Sequence, residues 1–315
     1  MEMVKLAQQV FDNGYQHLVA TRHEWVPSTG DLDMELVNHI YRVIIQNHDT
    51  NRFVDEFNAL VDIQHADGGW GNTSREQESH IRVTAFSAQM LLRANNDLLQ
   101  RSERLDEAIY RALKFLISHQ KEDGTWYDKQ WGLYDAVSVN IGTLMFARML
   151  NNVPERIKAI IEAPYHKAME FLIRTQREDG SWEYKEKYDT PVCVTAHLLQ
   201  KTVGYGDLGI VASLKAMKYL VQVQHSDGHY DNMNIDHTCD SLRALMLASE
   251  LLDDFSSHEC IDKGFKWLMD NRNLDDGWGD FAGEESNLLI ICDGLDTMLK
   301  YIRYRKVHDQ RTVIS

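Results

Sequence analysis

Proline, cysteine and positive charge are all scarce in this chain, and each shortage excludes something. Four prolines in 315 residues leave little to interrupt helices, which proline breaks. The four cysteines, Cys193, Cys239, Cys260 and Cys292, are scattered with no CxxC pair. That argues against a disulfide framework and for reduced thiols in a cytoplasmic setting. No run of about 18 apolar residues occurs, so no membrane-spanning helix is expected. The start, Met1 to Gln9, lacks the charged-then-apolar layout of a secretory signal. Lys and Arg number 33 against 48 Asp and Glu, a formal charge of -15. A polyphosphate partner such as DNA or RNA needs a basic footprint and is excluded. An anionic membrane surface is disfavoured for the same reason, although an apolar patch could still meet lipid. There is no Ser/His/Asp nucleophile signature and no phosphate-cradling glycine-rich loop. What the chain does have is 43% hydrophobic and 26% charged residues, enough for a soluble fold with a sizeable core.

It also repeats itself, and a repeat decides architecture before any single residue does. Five segments align on a final aromatic: EFNALVDIQHADGGW at Trp70, RALKFLISHQKEDGTW at Trp126, KAMEFLIRTQREDGSW at Trp182, KAMKYLVQVQHSDGHY at Tyr230 and GFKWLMDNRNLDDGW at Trp278. The intervals are 56, 56, 48 and 48 residues. A leucine stands ten residues before each aromatic, and Gln64, Gln120, Gln176 and Gln224 stand six before it, with Arg272 as the exception. Apolar residues before the glutamine recur at helical spacing, as in Leu113, Leu116 and Ile117. The Asp-Gly pair then stops the helix, since glycine accepts the left-handed conformation of a C-terminal cap. The tryptophan and glutamine are expected to pin the turn to a neighbouring helix, by burial and by a hydrogen bond.

After each turn the spacing predicts a second, more apolar helix, over roughly 79–95, 133–151, 190–203, 236–252 and 285–304. Helices apolar on most sides belong inside. An N-terminal pair, about 4–20 and 31–46 with Trp25 between, reads as a degenerate sixth unit within residues 1–48. Six such pairs close into an all-α α6/α6 toroid. No Pro/Gly/Ser-rich linker interrupts the series, so residues 1–315 are expected to form one domain.

The repeat resembles the QW motif of squalene-hopene and oxidosqualene cyclases, seen here in Phe115-Leu116-Ile117, Gln120 and Gly124-Thr125-Trp126. The resemblance runs from about Arg52 to Trp278. The same toroid serves protein prenyltransferase β subunits and non-enzymatic thioester domains, so chemistry must come from a site. One stretch, Asn234-Ile235-Asp236-His237-Thr238-Cys239-Asp240, is similar to the DxDD-Thr element of class II terpene cyclases, whose central aspartate is the Brønsted acid. The resemblance puts Asp236 on the acid and Thr238 on the threonine. Asn234 stands in place of the first aspartate and His237 in place of the last. The family usually closes its cavity with a second helical domain, so this chain would be a minimal, single-domain member.

The implied activity is protonation-initiated cyclisation of a linear isoprenoid, a prenyl diphosphate or a prenylated aromatic. Such an acid must be neutral before reaction, and burial and hydrogen bonding can arrange that. Asn234 and His237 are expected to supply bonds to it, with His237 also a route for reprotonation. Aromatic faces must stabilise the carbocation, and Trp131, Tyr134, Tyr188 and Tyr230 are the candidate lining. No metal or other cofactor is needed for the step, and magnesium only if the substrate is a diphosphate. A second copy or a lipid surface would shield an uncovered rim.

Blander readings stand beside these. Asp236 opens a helix, where aspartate is a preferred N-cap, and a helix N-terminus favours the ionised carboxylate. Asp135 and Asp189 occupy similar places and read as caps. Asp236, Cys239, Cys260 and His258 form a set like the Asp/Cys/His zinc ligands of protein prenyltransferases, without that family's Asp-x-Cys spacing. Glu284-Glu285 and Asp253-Asp254 read as helix ends or turns, and His39 and His80 as satisfied core histidines. The alternatives to a cyclase are a non-catalytic binding toroid and a zinc-dependent prenyltransferase-like protein.

Overall fold

A computed structural model describes residues 2–25, 30–182 and 190–312. In chain order its helices are α1 (Glu2–Ala20), α2 (Arg22–Trp25), α3 (Met34–Gln46), α4 (Val54–Asp62), α5 (Ile81–Asp97), α6 (Glu103–Ser118), α7 (Gly132–Met149), α8 (Glu155–Thr175), α9 (Pro191–Thr202), α10 (Gly206–Val223), α11 (Ile235–Leu252), α12 (His258–Asp270) and α13 (Leu288–Thr312). A short 3-10 helix (Thr50–Arg52) and isolated bridges, but no extended strands, accompany them among the described residues. The helices fall into two compact units, residues 21–174 and residues 1–20 with 175–315.

In the 21–174 unit, α5 packs on α3, α6 and α7. It is buried on most sides, with Val83, Ala85, Met90 and Leu91 inaccessible to solvent along with the polar Thr84 and Ser87. In the other unit α11 has the same place, against α9, α12 and α13, while α1 lies along α13. The apolar helices are therefore the inner ones, as the absence of a polar face requires. The outer helices α6, α8 and α12 turn charged residues outward, among them Glu103, Glu107, Arg156, Lys167, Lys263 and Lys266. The outward face of α10 is apolar instead, with Leu208 and Val211 64% and 52% exposed.

The turn after each outer helix is built the same way in both units. Gln120 Nε2 donates to Gly124 O at 3.0 Å and to Pro164 O at 2.9 Å on the next outer helix. Gln64, Gln176 and Gln224 repeat the pair of bonds, to Ala108 O, Ala212 O and Cys260 O on their next helices. Trp126 is fully buried and its indole N–H donates to Leu116 O, ten residues back, at 2.7 Å; Trp70 and Trp278 do the same to Leu60 O and Leu268 O. The periodic leucine is thus there for its carbonyl as well as its side chain.

The role assigned to the glycine changes in one respect. α6 ends at Ser118 with His119 as its cap, so Gly124 is not the C-terminal cap but the corner of the turn that follows. Its φ is +91°, and a Cβ there would stand 2.4 Å from Lys167 O, closer than any side chain tolerates. Left-handed backbone and a neighbouring helix pressed against the Cα both demand glycine. In the last repeat Asp276 takes that left-handed position, φ 64°, and Arg272 replaces the glutamine by bonding Met269 O and the Asp276 carboxylate.

Candidate active site

The stretch around Asp236 begins with two residues in the left-handed region, Asp231 (φ 49°) and Met233 (φ 57°), each costing on the order of 1 kcal/mol. The loop is held by Ile235 N–H on Asp280 O at 2.9 Å and Ala282 N–H on Met233 O at 3.1 Å. Asn234 then caps α11: its backbone is extended and its Oδ1 accepts the His237 N–H at 2.7 Å. Asp236 is therefore not the cap. It is the second residue inside the helix, and Asn234 serves the backbone rather than the Asp236 carboxyl. His237 also points elsewhere, its Nδ1 2.6 Å from Asp231 Oδ2.

Among the described residues no donor is hydrogen-bonded to the Asp236 side chain, which is partly exposed. Its electrostatics are unusual. Burial raises its pKa, and the carboxylates of Asp240, one turn on, and Asp293 raise it further. Against the opposing pull of His237 and Arg243, it is pushed up to about 7. The helix N-terminus favours ionisation, but loss of water and two like charges outweigh it.

Those like charges are fixed below. Arg243, 3% exposed, donates to Asp240 and to Asp293 Oδ1, the latter at 2.7 Å, and lies 3.8 Å from Asp296. Lys300 joins Asp296 at 2.9 Å, and His197 Nε2 stands 2.6 Å from Asp240 Oδ2. Burial pushes Asp240 up, but His197 and Arg243 outweigh it and hold that carboxyl well below the ordinary range. On the other flank, Thr190 Oγ1 donates to Asp231 Oδ2 at 2.6 Å. Burial raises the Asp231 pKa, and the bonds from His237 and Thr190 more than reverse it. Burial likewise lowers the His237 pKa, and its bond to Asp231 with the charge of Asp236 turns the balance upward. α11 thus presents a carboxyl whose pKa is raised to about 7 between an Asp240 held low and an imidazole whose pKa is raised.

Three of the four expected lining residues are among those described. Tyr230 is fully buried, its hydroxyl 3.3 Å from Cys260 Sγ; it fills the aromatic position of its repeat. Tyr188 and Asp189 lie outside the described residues. Trp131 and Tyr134 belong to the 21–174 unit and are both partly exposed. Trp131 is stacked on the Arg82 guanidinium at 4.3 Å, and the Tyr134 ring centroid is 6.2 Å from that of Phe171. Asp135 does not cap α7; it is buried and accepts from Arg82 Nε, while Arg82 also bonds both oxygens of Glu35. His39 bonds Glu35 O at 2.8 Å and His80 bonds Glu76 at 3.0 Å, so both are satisfied. Glu284 and Asp254 accept from nearby loop amides, and Asp253 is a left-handed helix end.

The set Asp236, Cys239, Cys260 and His258 is not assembled. Cys260 is with Tyr230, and His258 bonds Tyr304 and stacks on His308. Among the described residues one group brings metal-ligating atoms together, and it is a different one: Cys193, His197 and Asp240.

Thr238 has an architectural job. Its Oγ1 accepts the Tyr230 amide N–H at 3.1 Å and donates to Asn234 O at 2.7 Å. Thr84 and Thr195 accept the amides of Trp70 and Trp182 in the same way. These threonines fix a common register on the inner helices. Two residues before them stand Arg82, Cys193 and Asp236; two after them stand Phe86, His197 and Asp240. The threonines stand 14, 13 and 8 residues after their aromatics, so no fixed spacing in the sequence singles out His197 and Asp240.

The fold and the charged α11 cluster define a class. The sequence model of the squalene-hopene cyclase C-terminal domain matches residues 36–133 and 84–239, and the chain belongs to that family; it is a class II terpene cyclase-like protein. Among individual proteins it is similar to a drimenyl diphosphate synthase of Streptomyces showdoensis, 27% identical over 177 residues, which are 54% of this chain and 30% of that one. The chain thus matches less than a third of that relative's length. Its fold is that of the type II terpene cyclase MstE of Scytonema, solved with geranylgeranyl dihydroxybenzoate, with a TM-score of 0.68, 11% identity and coverage of 96% and 99%. It is also similar to a glycosyl hydrolase family 88 protein of Bacteroides vulgatus, TM-score 0.64, 13% identity, coverage 96% and 99%. Both share an all-α fold with this chain, which underlines that the fold does not itself specify chemistry.

Proposed function

We propose that this protein is an enzyme that cyclises a linear isoprenoid by protonating its terminal double bond, with Asp236 as the acid. The observation that carries the reading is a carboxyl with no hydrogen-bond donor among the described residues, its pKa pushed up to about 7. Such a group holds its proton near neutrality yet has nothing to hold that proton back. In the step, the Asp236 O–H bond breaks as a C–H bond forms at the terminal alkene carbon. The tertiary cation left behind is attacked by the next double bond, forming the ring. The final cation loses a proton to a base or takes up water, and Asp236 regains its proton from solvent. His237, whose pKa is raised by its bond to Asp231 and the charge of Asp236, is the residue we assign to that return, with Asp231 anchoring the imidazole.

The relatives indicate substrate class: one is a diphosphate synthase and another was solved with a prenylated dihydroxybenzoate. A linear prenyl chain with a polar head is therefore the substrate we assign. A diphosphate head would bring magnesium with it, because a chain of charge -15 offers it little positive charge; the protonation itself uses no metal. None of the four cysteines is in a disulfide and all are buried, which suits the reducing cytoplasm. No described helix is long and apolar enough to cross a membrane.

The test is incubation with farnesyl and geranylgeranyl diphosphates and a geranylgeranylated dihydroxybenzoate, with products read by mass spectrometry. Asp236→Asn should lose at least 10²-fold in cyclised product, the scale of a lost general acid. Equal product from the variant and the native protein would remove Asp236 from the mechanism.

A further inference from the structure

The cyclisation just described makes no use of Cys193, yet the fold places that thiol in a chelating group. Cys193 and His197 are four residues apart on α9, so their side chains share one face of the helix, one above the other. α11 packs against that face and adds Asp240. Sγ of Cys193, an imidazole nitrogen of His197 and a carboxylate oxygen of Asp240 lie within 4.8 Å of one another.

We propose that Cys193, His197 and Asp240 form a transition-metal site that takes zinc. The donor set makes the choice. Magnesium and calcium want oxygen alone, whereas a thiolate, an imidazole and a carboxylate together suit a borderline-soft ion with tetrahedral geometry. In such a site, bond lengths of about 2.0–2.3 Å put donors roughly 3.3–3.8 Å apart. The His197–Asp240 pair, 2.6 Å apart, must open by about 1 Å, and the thiol, within 4.8 Å of both, need close by no more than about 1.5 Å. The ion replaces the thiol proton, and His197 ligates it as a neutral imidazole beside the ionised Asp240.

The surroundings fit such an ion. Cys193 is 2% and Asp240 4% exposed, which keeps two ligands from competing water. The His197 side chain is 29% exposed, leaving a way in and room for a fourth ligand. Arg243 bonds the other oxygen of Asp240, so the carboxylate that would face the metal is oriented from behind, as ligating carboxylates commonly are.

The experiment uses the untagged full chain, freed of metal by chelator, with cobalt(II) as the spectroscopic probe and zinc as competitor. One equivalent of cobalt should give a thiolate-to-metal charge-transfer band and intense tetrahedral visible bands, both removed by zinc. Zinc should raise Tm by about 2–4 °C. Cys193→Ser should abolish the charge-transfer band, Cys239→Ser should keep it, and His197→Gln should weaken cobalt binding at least 10-fold with helical circular dichroism unchanged. His197 is the check if the serine variant does not fold, because it is the more exposed ligand. No band at one equivalent, or a band that survives in Cys193→Ser or binds equally well in His197→Gln, overturns the proposal. The site does not rest on the cyclase reading. Cyclised product without a cobalt band refutes the metal alone, and a band without product refutes the cyclase alone.

Discussion

The rise of the Asp236 pKa to about 7 comes at a cost to the fold, and that has consequences at the scale of a single residue. A carboxyl whose folded pKa is raised from 3.8 to about 7 binds its proton more tightly in the native state than in the unfolded one. The native state is therefore penalised as pH climbs from about 4 to 7, and by a constant amount above that. Asp236→Asn, which cannot ionise, should be more stable than the native protein at pH 8 by about 1–3 kcal/mol, a partly exposed group feeling less than the full linkage, and should gain nothing at pH 4. Thermal denaturation at the two pH values checks this. Cyclisation should run the other way, falling as pH rises through about 7 while the acid form disappears. The His237–Asp231 pair has the opposite sign. His237 is raised and Asp231 lowered, so the pair is complete between the two values. It is lost at high pH as the imidazole deprotonates and at low pH as the carboxylate protonates. Asp231→Asn should cost about 1–2 kcal/mol at pH 6 and less at pH 9, measured by urea denaturation.

At the scale of the element, the repeat turn is where sequence and structure agree most closely. Gln120, Gly124 and Trp126 each do one thing that no other residue type does: a side-chain amide bridging two carbonyls, a left-handed corner against Lys167 O, and a large ring with one N–H for the Leu116 carbonyl. Gly124→Ala forces a Cβ to 2.4 Å from that oxygen and strains the left-handed backbone, so it should destabilise by about 2–4 kcal/mol. The loss of Tm reads it directly. The α11 entry is the element that departs from its repeats. It carries two left-handed non-glycine residues, a capping Asn234 and an Asp231 turned to meet His237 and Thr190. Backbone strain gathered at the start of the helix that carries Asp236 suits a site held in position by its surroundings.

On the scale of the whole molecule, each unit has a buried arginine at the centre of its charges: Arg82 among Glu35 and Asp135, Arg243 among Asp240, Asp293 and Asp296. A chain with 48 acidic residues buries some of them, and they remain ionised only when a guanidinium answers them. Arg82→Ala takes the guanidinium away from Asp135, which is buried, and from Glu35, which keeps His39, and should cost about 3–5 kcal/mol. That is a large share of a typical domain's stability, seen as a lower midpoint in chemical denaturation. The site cluster in the other unit is excluded from this test, since Arg243 also sets the charge around Asp236.

Much of this was legible in the chain. Periodic apolar residues, the glutamine, the glycine and the aromatic determined five helix-turn-helix units and the ends of most helices, because each depends on residues close in sequence. The Asn-Ile-Asp-His-Thr stretch pointed to Asp236 on the same footing. The rest was decided by packing. Nothing local says that Asn234 and not Asp236 caps α11, that Tyr230 and Thr238 are architectural, or that Asp135 answers an arginine 53 residues away. The proton affinity of Asp236 depends on Asp293, 57 positions further on, and on burial, while Cys193 and His197 meet Asp240 only because α9 and α11 pack side by side. Local backbone preference is written residue by residue, but a charge is set by whatever the fold brings within a few ångströms of it.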